Sequence, residues 1–261
     1  MKFYELVKLM EKLRSPDGCA WDRAQEIGDL RQYVMEEAME LVSAIETGDE
    51  EKVKEELGDL LFEIIFVTRI EEEAGHFAID DVISAIAEKM IERHPHVFKA
   101  VKSGKDIAAI TKEDVNKQWE EIKAEKRGGG SVLDGVTEGL SALLIAEKYG
   151  RRASDVGFDW KETSEVLSKI EEEIRELKYA REAGNSKDIE EEIGDLLFSI
   201  VNLSRFLGVN AELALRGANR KFSDRFRKVE EIVKVRGVSM KDMSIDELEQ
   251  LWQVAKDEGD V

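Results

Sequence analysis

Eight carboxylates recur in a fixed order along the chain. Glu37 and Glu40 lie three residues apart, as do Glu56 and Asp59, and the pattern returns in Glu173 and Glu176, then Glu192 and Asp195. On an α-helix, side chains at i and i+3 are neighbours on one face, about 5–6 Å apart at Cβ. Fifteen residues separate Glu40 from Glu56, and fifteen separate Glu176 from Glu192. That length lets one helix finish, turn and return antiparallel, with turns expected at Thr47-Gly48-Asp49 and Ala183-Gly184-Asn185-Ser186. Four acids then converge between two helices. Such a group repels itself and is costly to dehydrate unless a cation joins it. Oxygen-only ligands suit Mg2+, with Mn2+ as a substitute. Mg2+ keeps positions open for water and phosphate oxygens, so the chemistry implied is cleavage of a polyphosphate by activated water.

Other residues fit this chemistry. Lys89 and Arg93 are spaced i,i+4, and so are Lys221 and Arg225. Each pair presents two cations on one helical face, suited to gripping phosphates; salt bridging to an acidic surface is the ordinary alternative. Glu36 and Glu172 adjoin the two clusters and are candidates to take a proton from water. Trp160, with Phe158, precedes the second acidic helix and either stacks on a base or clamps the core. Trp119 and Trp252 lie in helical patterns and are expected to pack.

The competing explanation of the acids is a solvated face, because 37% of the residues are charged and Glu pairs at this spacing then arise by chance. Two observations weigh against it. Asp59 and Asp195 each follow a glycine and precede Leu-Leu-Phe, at the rim of an apolar stripe. Gly58 and Gly194 are poor helix formers and are expected to mark a close approach by a neighbouring helix or a ligand. The whole arrangement also occurs twice. Shifting the chain by 136 residues lays residues 36–62 over 172–198 without a gap, and 14 of the 27 positions are identical. Two homologous units explain this most economically.

The elements that position these acids are helices. Leu30, Val34, Ala38, Leu41 and Ile45 recur every three to four residues, and Leu57, Leu60, Leu61, Ile64, Ile65 and Thr68 share one broad face. The only prolines are Pro16 and Pro95, so long helices are permitted. Three consecutive glycines, Gly128 to Gly130, break the pattern. The expected architecture is all-α, with two homologous helical-bundle units, residues 1–127 and 131–261, joined by a Gly-rich linker.

Composition excludes several classes. Thirty-nine basic residues against 58 acidic ones give a net charge of -19, a field that repels nucleic-acid backbones, so no nucleic-acid partner is expected. Cys19 is the single cysteine, which excludes a disulfide framework and a multi-cysteine metal site. His76, His94 and His96 are the only histidines, which leaves the second unit without imidazole for zinc or a di-iron centre. There is no phosphate loop of the GxxxxGK[ST] kind. No apolar run reaches about 18 residues, and the N-terminus lacks a signal peptide's apolar core. The expectation is a cytoplasmic protein with no membrane partner.

The order EExxE, then ExxD followed by Leu-Leu-Phe, resembles the all-α nucleoside triphosphate pyrophosphohydrolases of the MazG type. Arg93-His94-Pro95-His96-Val97-Phe98, Val156-Gly157-Phe158-Asp159-Trp160, and Lys221-Phe222 with Arg225-Phe226 resemble further signatures of that family. The resemblance covers nearly the full length, tandem arrangement included. It implies Mg2+-dependent hydrolysis of nucleoside triphosphates to the monophosphate and pyrophosphate, by attack of water at the α-phosphate. It also implies helical units that pair as dimers with the site at or near the interface. The family's metal ligands map onto Glu173, Glu176, Glu192 and Asp195, and its phosphate-binding cations onto Lys221 and Arg225. In some tandem members the second unit carries most of the activity. Here the first unit also keeps Glu37, Glu40, Glu56 and Asp59, with Lys89 and Arg93. A non-enzymatic alternative is an acidic helical scaffold that grips a basic partner, with the acids pointing outward.

Overall fold

The computed structural model describes residues 2–98, 111, 114–115, 130–137 and 139–257, and no strand occurs among them. The chain divides into two compact units, Met1–Trp119 and Glu120–Val261. Gly128, Gly129 and Trp119 lie outside the described residues.

The first unit contains α1 (Phe3–Arg14), α2 (Ala20–Ala24), α3 (Leu30–Thr47), α4 (Glu50–Glu73), α5 (Ile79–Arg93) and the short α6 (Pro95–Phe98). The long pair α3 and α4 forms its backbone. The turn between them follows from three residues. Gly48 adopts φ 72°, a left-handed conformation that is cheap only for glycine, and its N–H closes the end of α3 on Ala44 and Ile45. Asp49 then caps α4, its carboxylate accepting from the Lys52 N–H at 3.1 Å. Met10, Leu30, Ile65 and Phe66 are buried together, with Phe3, Leu6, Tyr33 and Phe62 packed around them.

Arg14 ties this unit together. Its guanidinium lies over the Phe66 ring, 5.5 Å from the centroid, and donates to Glu73 at 2.8 Å. It also donates to the backbone carbonyls of Asp22 and Gln25, so α1, α2 and α4 share one anchor. Tyr4 donates to Asp80 at 2.8 Å and fastens α1 to the start of α5.

The second unit contains α7 (Ala142–Asp155), α8 (Thr163–Ala183), α9 (Ser186–Phe206), α10 (Ala211–Arg236), a 3-10 turn (Met240–Asp242) and α11 (Ile245–Asp257). The pair α8 and α9 repeats the first hairpin. Gly184 has φ 71°, and Asn185 caps α9 by accepting from the Lys187 N–H at 3.1 Å. Helix α7 packs on α9 and α10, and Asn210 at the head of α10 donates to Glu147 of α7 at 2.9 Å. The C-terminal α11 caps this unit, with Leu251 and Ala255 buried against Val229 and Val233 of α10. Trp252 packs beside them, 5.1 Å from the Phe222 ring.

Removing the shared anchor should cost stability without touching the acids. Arg14→Ala is expected to lower the unfolding free energy by about 2 kcal/mol, because Glu73 and two partly buried carbonyls lose their charged donor. Urea titration followed by circular dichroism checks this.

Candidate functional site

The two hairpins bring the sequence-marked acids together. In the first unit, one carboxylate oxygen from each of Glu37, Glu56 and Asp59 lies within 4.8 Å of the others. In the second, Glu173, Glu176 and Glu192 do the same. The fourth member of each set, Glu40 or Asp195, stays outside this close group but acts on it by charge. The acids are not a solvated fringe throughout. Glu56 is 5% exposed and Glu173, which pairs with Lys169, is 4% exposed, a degree of burial rare for carboxylates.

Burial and crowding shift the acids in one direction. The Glu192 carboxyl is pushed above the usual range, first by loss of water and then by Glu176, Glu173 and Asp195. Glu37 is raised by burial, then by Asp59, Glu40 and Glu56. Glu56 is raised by burial and then by Glu40, with Lys52 opposing. Glu192 Oε2 is buried and accepts no hydrogen bond among the described residues. The all-oxygen donor set of each group fits a divalent cation.

The second cluster holds a cation that sequence reading missed. Lys169 Nζ lies 2.8 Å from Glu173 and 2.9 Å from Glu172, and the two carboxylates hold the ammonium well above its ordinary value. The signal was an i,i+4 Lys–Glu pair opening on the EExxE run, one of many such pairs in so charged a chain. Under the 136-residue shift its counterpart is Tyr33, which packs on the first unit's core. The two clusters therefore differ in built-in charge.

The remaining candidates are placed as follows. Lys221 is exposed and Arg225 half-buried on α10, whose main neighbours are α11 and α7. Lys89 is exposed and Arg93 half-buried on α5, a helix with no buried residue. None of these four is among the strongest charge influences on Glu37, Glu56 or Glu192. Glu36 is exposed, and Glu172 is held by Lys169. Trp160 and Phe158 are exposed in the loop before α8. That loop is clamped by Arg205, which binds Asp159 at 3.0 and 2.5 Å and Asn202 at 2.9 Å.

The glycines correct the neighbouring-helix half of one expectation. A Cβ built on Gly58 or Gly194 meets nothing within 4 Å, so no neighbouring helix approaches there; both face outward beside their aspartates. The close approach is instead at Gly150 of α7, where a Cβ would lie 3.1 Å from both Arg205 Nε and Asn202 Oδ1.

The raised carboxyls predict a pH signature. A folded-state value above the unfolded one favours folding at low pH, and that contribution is lost as pH rises through the raised value. With divalent ions chelated, stability is expected to fall as pH climbs upward from about 4.5, the ordinary glutamate value. Saturating Mg2+ should suppress the fall. Thermal melts at stepped pH, with chelator or with Mg2+, measure both.

The acid hairpins coincide with matches to known proteins. The MazG nucleotide pyrophosphohydrolase domain matches the chain twice, over residues 25–98 and 161–230, and each span contains one complete set of four acids. The nucleoside triphosphate pyrophosphohydrolase/pyrophosphatase MazG of Thermotoga maritima is 46% identical over 256 residues, covering 97% of this chain and 95% of that protein. The nucleoside triphosphate pyrophosphohydrolase of Escherichia coli (strain K12) is 42% identical over 257 residues, 96% of this chain and 95% of that protein. YabN of Bacillus subtilis is 41% identical over 259 residues, which is 98% of this chain but 52% of that longer protein. With the domain present twice and relatives aligned along nearly the whole length, the chain belongs to the MazG nucleotide pyrophosphohydrolase family.

Proposed function

We propose that this MazG-family enzyme hydrolyses nucleoside triphosphates to nucleoside monophosphate and pyrophosphate with Mg2+, for which Mn2+ substitutes. The observation that carries the reading is the buried Glu192 oxygen, without a hydrogen-bond partner, in a group with Glu173 and Glu176. Glu173, Glu176, Glu192 and Asp195 hold the ion in the second unit; Glu37, Glu40, Glu56 and Asp59 are the corresponding set in the first. A divalent ion bound there supplies positive charge against phosphoryl oxygens and acidifies water.

The chain's own residues do the rest. Lys221 and Arg225 bind the outer phosphates and neutralise the departing pyrophosphate, and Lys89 and Arg93 take that part in the first unit. Glu172, oriented by its 2.9 Å bond to Lys169, accepts the proton of the attacking water; Glu36 stands at the same place in the first unit. Attack at the α-phosphorus accords with the pyrophosphohydrolase names of the Thermotoga and Escherichia relatives. Trp160 offers its exposed ring to the base.

We also propose a homodimer. Leu57, Leu61 and Ile64 form an exposed stripe on α4, and Ile193, Leu197 and Ile200, their counterparts under the internal shift, form another on α9. Apolar stripes repeated on both acid hairpins suit burial against a second copy.

Two experiments test these readings. Glu192→Gln or Asp195→Asn is expected to lower second-unit turnover by about 100-fold with the helical spectrum retained, and Glu56→Gln or Asp59→Asn to do the same for the first unit. Product analysis should give pyrophosphate, only with a divalent ion. Orthophosphate release, or full activity in a Glu56→Gln/Glu192→Gln double variant, overturns the assignment. For the dimer, sedimentation should show wild type at twice the chain mass and Leu61→Glu/Leu197→Glu shifted towards the monomer. A monomeric wild type rejects it.

A further inference from the structure

The loop before α8 presents two aromatic rings to solvent on a backbone that is tied down. Phe158 is 82% exposed and Trp160 is 41% exposed. Asp159, between them, is bonded on two sides. Its Oδ2 accepts from Arg205 Nη1 at 3.0 Å and its Oδ1 from Arg205 Nη2 at 2.5 Å. The same Oδ1 accepts from the Trp160 backbone N–H at 2.9 Å. Arg205 is itself fixed, because Asn202 Oδ1 accepts from its Nε at 2.9 Å and from its Nη2 at 2.7 Å. A bidentate arginine–carboxylate pair sets orientation as well as contact. The Arg205 side chain is only 12% exposed. Helix α7 leaves room for it at Gly150, where a Cβ would press on Arg205 Nε and Asn202 Oδ1.

The first unit lacks this assembly. Its run Gly18-Cys19-Ala20-Trp21 matches Gly157-Phe158-Asp159-Trp160 in glycine–tryptophan spacing, and it places Ala20 at the position of Asp159. Under the 136-residue shift Phe66 stands for Asn202 and Arg69 for Arg205. Phe66 is a buried core residue, and Arg69 bonds to Glu73 and Glu72. Trp21, itself half exposed, rests edge-on against Tyr33 and Phe66, with centroids 5.9 and 6.5 Å away. Core packing thus holds the tryptophan in one unit, and a polar clamp holds it in the other. Asparagine in place of a core phenylalanine gives up hydrophobic burial. What the clamp supplies is direction.

The clamp also sets a distance. Arg205 lies ten residues beyond Asp195 on α9, about 15 Å along the helix axis. One rigid helix therefore carries Glu192 and Asp195 at one level and the anchor of the Trp160 loop at another. That separation is comparable to the length of an extended nucleoside triphosphate. We propose that Arg205, with Asn202 and Asp159, is a positioning residue for the nucleoside. It holds Trp160 at a set distance from the acids, so that the ring meets the base while the phosphates meet the ion. The proposal rests on the reading of Trp160 as the platform for the base.

The test is steady-state kinetics on the full chain carrying Glu56→Gln, in which the second unit alone turns over. ATP is the substrate, and inorganic tripolyphosphate, which has no base, is the competitive inhibitor. Arg205→Met and Asp159→Asn are each expected to raise KM for ATP about tenfold, with kcat and tripolyphosphate inhibition unchanged. Trp160→Ala is expected to raise KM by a similar factor, and Trp160→Ala/Arg205→Met no further, since both changes remove one contact. An unchanged KM in Arg205→Met and Asp159→Asn, with KM raised in Trp160→Ala, overturns the positioning role and leaves Trp160 as the platform. Equal weakening of ATP and tripolyphosphate shows that the clamp serves the cleft as a whole and also overturns the proposal. An unchanged KM in Trp160→Ala defeats the underlying reading of Trp160.

Discussion

Mutual repulsion among carboxylates is the constraint on which this protein is built. Each unit folds two long helices back to back through a glycine turn, and the acids at i and i+3 on both arms have nowhere to go but towards one another. The hydrophobic packing that closes each hairpin therefore works against the charges it encloses. The result is a fold whose stability is coupled to whatever positive charge occupies the cleft, because a ligand that binds only the folded state stabilises it.

The two units relieve the repulsion in different ways. In the second, Lys169 sits directly on Glu172 and Glu173, and Arg205 neutralises Asp159. In the first, Tyr33 has replaced the lysine with core packing, Arg69 is turned to Glu72 and Glu73, and Glu63 adds a further acid. Sequence identity across the duplicated hairpin conceals this divergence, which lies in residues outside the repeated acid motif.

What could be read from the chain alone was whatever local spacing determines. The hairpins, their glycine turns at Gly48 and Gly184, and the convergence of the acids follow from helical periodicity and from the special backbone freedom of glycine. Which of many possible local ion pairs forms at the acid cluster was not readable. Lys169 was one of many basic residues near an acid, and nothing in its neighbourhood distinguished it. Glu63 did leave a trace, as a charge inside the apolar run Leu60-Leu61-Phe62-Glu63-Ile64-Ile65-Phe66 and in phase with Glu56 and Asp59. At Gly58 and Gly194 no neighbouring helix approaches, and both border open space. The crowded glycine, Gly150, carried no signal, since the arginine that presses on it lies 55 residues away in sequence.

The turn between the acid helices has a consequence for how such a chain can change. Because Gly48 and Asp49 join α3 to α4 with no slack, one residue inserted between Glu40 and the turn, or between the turn and Glu56, rotates one acid pair by about 100° against the other. Length variation in these arms is therefore admissible only in whole helical periods, roughly seven residues at a time, or in matched additions that carry both pairs along together. Duplicating the entire hairpin escapes that restriction. Once a spare copy exists, each cleft is free to drift in its electrostatics while its phase stays locked.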